Sequence, residues 1–234
     1  MIISNWLSDH YIEVFGAITG IIYVFLEIRQ AIWLWPVGFV TSGVYVWIFF
    51  TGKLYADMSL QAYYVVISVL GWYWWVRGAG LRAQSSVRQE ESERGRRGEG
   101  EKTEFAVTRL RFKTGIVLSI IFIILYFIMW LVLSRLTDSP VPGCDAFLTS
   151  LSIVATWMLA RKIYEHWFLW IVVNFVSVVL YFTRGLYPTV ILYVVYAVMS
   201  FIGLNAWRKT IKNNYEPEPA IKNNLPGQSH ESFS

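Results

Sequence analysis

The chain has 234 residues, 56% of them hydrophobic and 18% aromatic, with a mean hydropathy of +0.46 and a formal charge of +4. Soluble domains are about 45–50% apolar, so this composition excludes an ordinary soluble enzyme and points to an all-α integral membrane protein. A single cysteine, Cys144, excludes an intramolecular disulfide framework and a cysteine-based metal site.

Apolar runs long enough to span a bilayer fall near residues 10–28, 32–50, 58–76, 115–133, 145–161, 166–183 and 188–207, which makes seven expected spans. The opening MIISNWLSDHYIEVF has no basic region before its apolar run, so the first span is expected to be retained and not cleaved as a signal. Spans one to three form an expected triple-helix bundle over 1–77. Between Arg82 and Glu104 six bases offset six acids, so 78–114 reads as a largely disordered cytoplasmic linker. A connecting span over 115–133 follows, then a second triple-helix bundle over 145–208 and a tail over 209–234 expected to be disordered.

Ten basic residues lie from Arg77 to Lys113, and Arg29, Arg161, Lys162, Arg208, Lys209, Lys212 and Lys222 bring one set of alternate loops to seventeen of twenty. Only Lys53, Arg135 and Arg184 fall in the other loops. The positive-inside rule then puts the N-terminus outside and the C-terminus in the cytoplasm of a cell inner (plasma) membrane. Topology accounts for the basic charge, so no nucleic-acid partner is expected.

An offset of 132 residues lays the chain on itself. Trp35 meets Trp167, Phe50-Thr51 meets Phe182-Thr183, Leu54-Tyr55 meets Leu186-Tyr187, Tyr64 meets Tyr196, Ser68 meets Ser200, Gly71 meets Gly203, Trp75 meets Trp207 and Arg29 meets Arg161. One intervening span leaves the two triplets pointing the same way, a parallel repeat in a 3+1+3 arrangement whose substrate sits between the halves.

In span six a helix turning about 100° per residue puts Trp167, Trp170 and Asn174 in one stripe, continued by Ser177 and Tyr181. The tryptophans offer a π face for a cation and the asparagine a donor and an acceptor. A membrane-interface belt or an interhelical hydrogen bond would also explain them, and Trp6, Trp72, Trp74 and Trp207 are stronger belt candidates. Ser42 stands where the repeat would put Asn174. The same spacing aligns Gln61, Tyr64, Ser68 and Gly71 on span three, and Tyr193, Tyr196, Ser200 and Gly203 on span seven. The two glycines and two serines read first as packing positions, and Gln61 and Tyr64 as pocket residues. Thr149, Ser152 and Thr156 on span five point inward or bond back to the preceding turn. Trp35 joins the candidate set.

Catalytic residues, metal ligands and cofactors are not expected. His10, His166 and His230 lie at span edges or in the tail, and Glu27 and Asp145 near span ends, where snorkelling or loop contacts suffice. No acid–base pair is expected at mid-membrane. RGRRGEGEK lacks the strand and helix a phosphate-binding loop needs.

The segment DAFLTSLSIVATWMLARKIYEHWFLWIVVNFVSVVLYFTRGLYPT, with Trp167, Trp170 and Asn174 as a WxxWxxxN signature, closely resembles the PnuC family of vitamin-precursor transporters. RQAIWLWPVGFVTSGVYVWIFFTGKLYADMSLQAYYVVISVLGWYWW matches in the first half. The resemblance implies a fold similar to full-length SWEET transporters and facilitated uptake of nicotinamide riboside. It further implies retention by a cytoplasmic kinase that acts on the substrate, with no direct contact with the carrier implied. Relatives that look much the same carry thiamine or riboflavin, and Thr156 stands where riboside carriers favour glutamine. The implied partners are a cationic aromatic vitamin or precursor, membrane lipid and, with no number fixed, further copies in a homo-oligomer. A sugar transporter of the same fold and a seven-helix receptor are the more distant alternatives; a retinal protein would need a lysine in span seven, which has none between Pro188 and Trp207.

Overall fold

The computed structural model of the protein describes residues 11–51, 55–93, 107–137 and 140–215. Seven helices account for nearly all of them: α1 (Tyr11–Ile28), α2 (Leu34–Thr51), α3 (Tyr55–Glu93), α4 (Phe112–Leu136), α5 (Pro142–Ala160), α6 (His166–Thr183) and α7 (Tyr187–Tyr215). Among the described residues α2, α4, α5, α6 and α7 are each long and apolar enough to cross a bilayer, and α1 supplies a shorter apolar stretch, Val14–Ile28. The apolar part of α3 owes much of its bulk to tyrosine and tryptophan and also carries Gln61, which lowers its hydropathy without shortening it. The protein is an α-helical, multi-pass membrane protein, and large apolar side chains such as Ile120, Phe127, Val179 and Ile191 lie bare on its outer surface, where lipid tails would cover them.

Helix starts follow local chemistry. Pro142 opens α5 and Pro188 sits in the first turn of α7, both where a missing N–H costs nothing. The ends of α1 and α5 are built alike. Gln30 N donates to Glu27 O and Ala31 N to Leu26 O, while Lys162 N donates to Leu159 O and Ile163 N to Met158 O, at 2.8–3.0 Å. These are Schellman closures with Gln30 (φ 53°) and Lys162 (φ 51°) in the left-handed position. The two turns lie 132 residues apart, so the repeat read in side chains recurs in the backbone.

Packing repeats too. The Trp35 ring lies over Gly71 and the Trp167 ring over Gly203, so close that a Cβ on either glycine would clash with three carbons of the ring. Ser68 and Ser200 each bond back to the carbonyl four residues earlier, at 2.7 and 2.8 Å. Helix α2 packs on α3 and α6 on α7; α1 touches α7 and α3 touches α5, while α4 lies against α5.

Three features depart from the sequence reading. Helix α3 continues to Glu93 across the first part of the expected linker, because RAQSSVRQEESE is rich in good helix formers and has no proline or glycine to stop it. The last part of that linker is also ordered. Thr108 N donates to Lys162 O and Tyr164 N to Thr108 O, both 2.9 Å, Leu110 N donates to Glu165 Oε2 at 2.8 Å, and Val107 is buried. Residues 94–106, the tail beyond 215 and Trp6 lie outside the described residues. Cys144, which falls just ahead of the span expected over 145–161, is in the first turn of α5.

The strap formed by 107–111 makes a specific expectation. Thr108→Pro deletes one of the two ladder bonds, a loss of about 1–2 kcal/mol. A fall of several degrees in Tm at unchanged ligand affinity is the expected outcome in a detergent melt, whereas an unchanged melt would show that the strap contributes nothing.

Candidate functional site

A cavity of about 380 Å³ opens among α1, α2, α3, α5, α6 and α7. Eight pairs of its lining residues are related by the 132-residue offset: Gly20 with Ser152, Val24 with Thr156, Gly38 with Trp170, Thr41 with Val173, Ser42 with Asn174, Gln61 with Tyr193, Tyr64 with Tyr196, and Ser68 with Ser200. The cavity therefore lies where the two halves of the repeat face each other.

Of the nine candidate residues, Trp167, Trp170, Asn174, Gln61, Tyr64, Tyr193, Tyr196 and Thr156 all line this cavity. Trp35 does not. It is fully buried, T-shaped against Trp75 at 5.4 Å, and borders a separate apolar groove with Pro36, Phe39 and Trp72. The repeat places it opposite Trp167 in packing, but only the second-half tryptophan reaches the cavity.

The α6 stripe is inward, as its spacing requires. Trp167, Asn174 and Ser177 are buried, and Tyr181 stacks on Tyr193 at 5.2 Å. Asn174 Nδ2 donates to Ser200 Oγ at 3.0 Å, and that hydroxyl donates to Tyr196 O. The asparagine is thus both an α6–α7 tie and part of the wall. Thr156 bonds back to Ser152 O at 2.8 Å while still lining the cavity. The buried indole N–H groups of Trp167 and Trp170 donate to no protein group among the described residues, so each is an unsatisfied donor on a cavity-lining side chain.

The first half contributes residues that the sequence reading did not select. Gly16, Gly20, Tyr23 and Glu27 recur every three or four positions on α1 and all line the cavity, with Thr41, Ser42 and Tyr45 from α2. The helical spacing that found the α6 stripe would have found this one. Small size is needed here: a Cβ on Gly16 would strike the Tyr45 hydroxyl, one on Gly20 the Tyr196 hydroxyl, and one on Gly38 would lie 2.9 Å from the Tyr23 ring.

Two expectations are overturned by the floor of the cavity. Glu27 does not snorkel; it is 2% exposed, and its Oε1 lies 3.0 Å from Nε2 of His166, which is fully buried. Trp207 is not an interface residue either. Its ring is fully buried against His166 and Trp167, at 4.6 and 5.9 Å between centroids, and its Nε1 donates to Glu27 O at 3.1 Å. Span-end position misled in both cases because the tight turn at Gln30 carries the end of α1 inward against α6 and α7. Asp145 behaves as expected of a span-end acid, half-buried 3.9 Å from Arg184.

Among known proteins, the model of the nicotinamide mononucleotide transporter family matches residues 10–209. The chain belongs to this family. It is 28% identical over 213 residues to the riboflavin/roseoflavin transporter RibM of Streptomyces davaonensis, covering 87% of this chain and 92% of that one. It is 27% identical over 214 residues to the nicotinamide riboside transporter PnuC of Escherichia coli, covering 88% and 87%. The crystal structure of the vitamin B3 transporter PnuC superposes with a TM-score of 0.64 at 23% identity, over 91% of this chain and 86% of that one. The PnuC resemblance read from the WxxWxxxN segment is thereby shown. As a member of the PnuC family the chain is a membrane transporter of a small vitamin-like molecule, and no group of three or more metal-ligating side chains occurs among the described residues.

Proposed function

We propose that the chain carries nicotinamide riboside into the cell by facilitated diffusion, the substrate being retained by cytoplasmic phosphorylation. The observation that carries this reading is the convergence of Trp167, Trp170 and Asn174 on one cavity whose other wall is supplied by repeat-related positions. A pyridinium ring stacks on an indole face, an interaction contributing about 0.5–2 kcal/mol, while Asn174 and the two free indole donors meet amide and hydroxyl groups. The helices are read as a 3+1+3 parallel repeat similar to full-length SWEET transporters, with α4 as the connector and alternating access by rocking of the two triplets about the cavity. The matching turns at Gln30 and Lys162 support that arrangement.

A second reading has its own support. RibM, which is as similar as the riboside carrier, is named for riboflavin and roseoflavin, so a riboflavin or thiamine carrier of the same family is the alternative. Uptake of labelled nicotinamide riboside, thiamine and riboflavin into vesicles separates them: saturable riboside uptake is the expected result, and uptake of riboflavin alone would replace the cargo while keeping the cavity.

The membrane assignment is a cell inner membrane with the N-terminus outside, supported by the seventeen-to-three division of basic residues. An impermeant thiol reagent applied to intact cells should label a cysteine placed at Gly52 and spare one at Gly95 in a Cys144→Ser background. Labelling of Gly95 alone would invert the topology.

A further inference from the structure

Among the described residues lining the cavity Glu27 is the sole carboxylate, and none is lysine or arginine. Its charge therefore sets the charge of the wall. His166 Nδ1 lies 2.7 Å from the carbonyl of Ile163, which can only accept, so Nδ1 carries a hydrogen. Nε2 and Glu27 Oε1, at 3.0 Å, hold a hydrogen bond only when a proton lies between them, as imidazolium with carboxylate or as imidazole with carboxylic acid. In both forms the pair is neutral, and loss of that one proton leaves a net negative charge in the wall.

We propose that the Glu27–His166 pair selects substrates by charge: a heteroaromatic cation entering the cavity displaces the pair's proton to solvent, whereas a neutral vitamin does not. The inference rests on the cavity being the vitamin site and names, within that reading, the cationic class over the neutral flavin. The imidazole lies between the Trp167 and Trp207 rings, at 4.7 and 4.6 Å between centroids. A cation in the cavity is attracted to the net negative charge that the pair carries once its proton has left.

Among the described residues the nearby phenols are Tyr23 on α1, which lies within reach of Glu27, Tyr63 and Tyr64, with Tyr45 on α2 and Tyr193 and Tyr196 on α7 farther along the wall. Arg29 lies over Phe25, Arg161 over Trp74 and Lys162 over Trp75. Glu165, beside His166, accepts from Leu110 N instead. On α7, Arg208, Lys209 and Lys212 are exposed, and on α5 Asp145 pairs with Arg184.

The sign is fixed by linkage. Acid holds the proton on the pair, so affinity for a cation falls as pH falls, by up to about tenfold per unit, while affinity for a neutral ligand stays flat. The test is calorimetric binding of nicotinamide riboside, thiamine and riboflavin to the full chain in detergent. Two buffers of different protonation enthalpy are compared across pH, with Glu27→Gln and His166→Asn alongside the natural chain. About one proton released per cation bound, lost in Glu27→Gln together with at least a tenfold loss of cation affinity, is the expected result. Cation binding without proton release in the natural chain overturns the proposal, whether or not the variants fold. Tight riboflavin binding with neither cation bound overturns it as well, while leaving the site itself intact. Failure of all three to bind removes the site and the selector together.

Discussion

Trp170→Ala is expected to weaken ligand binding at least tenfold and Trp170→Phe by only a few-fold, with neither change moving the melting temperature by more than a few degrees. Trp170 lines the cavity and its indole N–H is free of protein partners, so truncation removes both the π face and a donor. Phenylalanine keeps a face of lower electron density, and alanine keeps none. At about 1.4 kcal/mol per tenfold, the gradation distinguishes stacking from loss of bulk. Asn174→Leu should go further and abolish binding, because a site built around hydrogen bonds loses most when its polar group becomes apolar. The same variant also cuts the bond to Ser200, a stability loss of about 1 kcal/mol. Binding by isothermal titration and unfolding by a thermal melt therefore report two separate numbers. Unchanged affinity in a folded Trp170→Ala protein would remove the α6 stripe from the substrate site.

The second large effect concerns the glycines beneath the two repeat-related tryptophans. Gly71→Ala and Gly203→Ala each gain about 1 kcal/mol of helix propensity, yet each drives a methyl group into a buried indole ring. Overpacking of that kind costs about 1–3 kcal/mol or more, so both variants should melt several degrees lower. Their functional consequences differ. Trp35 is outside the cavity and Trp167 lines it, so Gly203→Ala should also weaken binding, while Gly71→Ala leaves affinity unchanged. Equal loss of affinity in the two variants would mean that the cavity responds to global strain and not to the position of Trp167.

Hydropathy and the 132-residue offset make much of this architecture legible in the sequence, because lipid demands long apolar helices and packing residues recur at that offset. The α6 stripe was visible for the same reason: helical spacing says which side chains share a face. It does not say what the face meets. Trp35 shares the packing role of Trp167 but is cut off from the cavity, and Glu27 looked like a span-end acid until the left-handed turn at Gln30 brought it against His166. The order in 107–111 was illegible because a single parallel bridge and one side-chain bond to Glu165 leave no periodic signature.

Tyr23 and Gly38 in the first half stand where Ala155 and Trp170 stand in the second, so the large ring comes from α1 on one side and from α6 on the other. A cavity with true twofold walls would offer any ligand two equivalent poses, and that degeneracy is worth RT ln 2, about 0.4 kcal/mol of binding entropy. This cavity gives up that term. In exchange, a ring lying on Trp170 has no equivalent berth at Gly38, and a group bonded to Asn174 finds only Ser42 across the axis. With the cargo on Trp170 and Asn174, as proposed, it would enter and leave in one orientation, giving the carrier a head and a tail although its packing residues recur at a 132-residue offset.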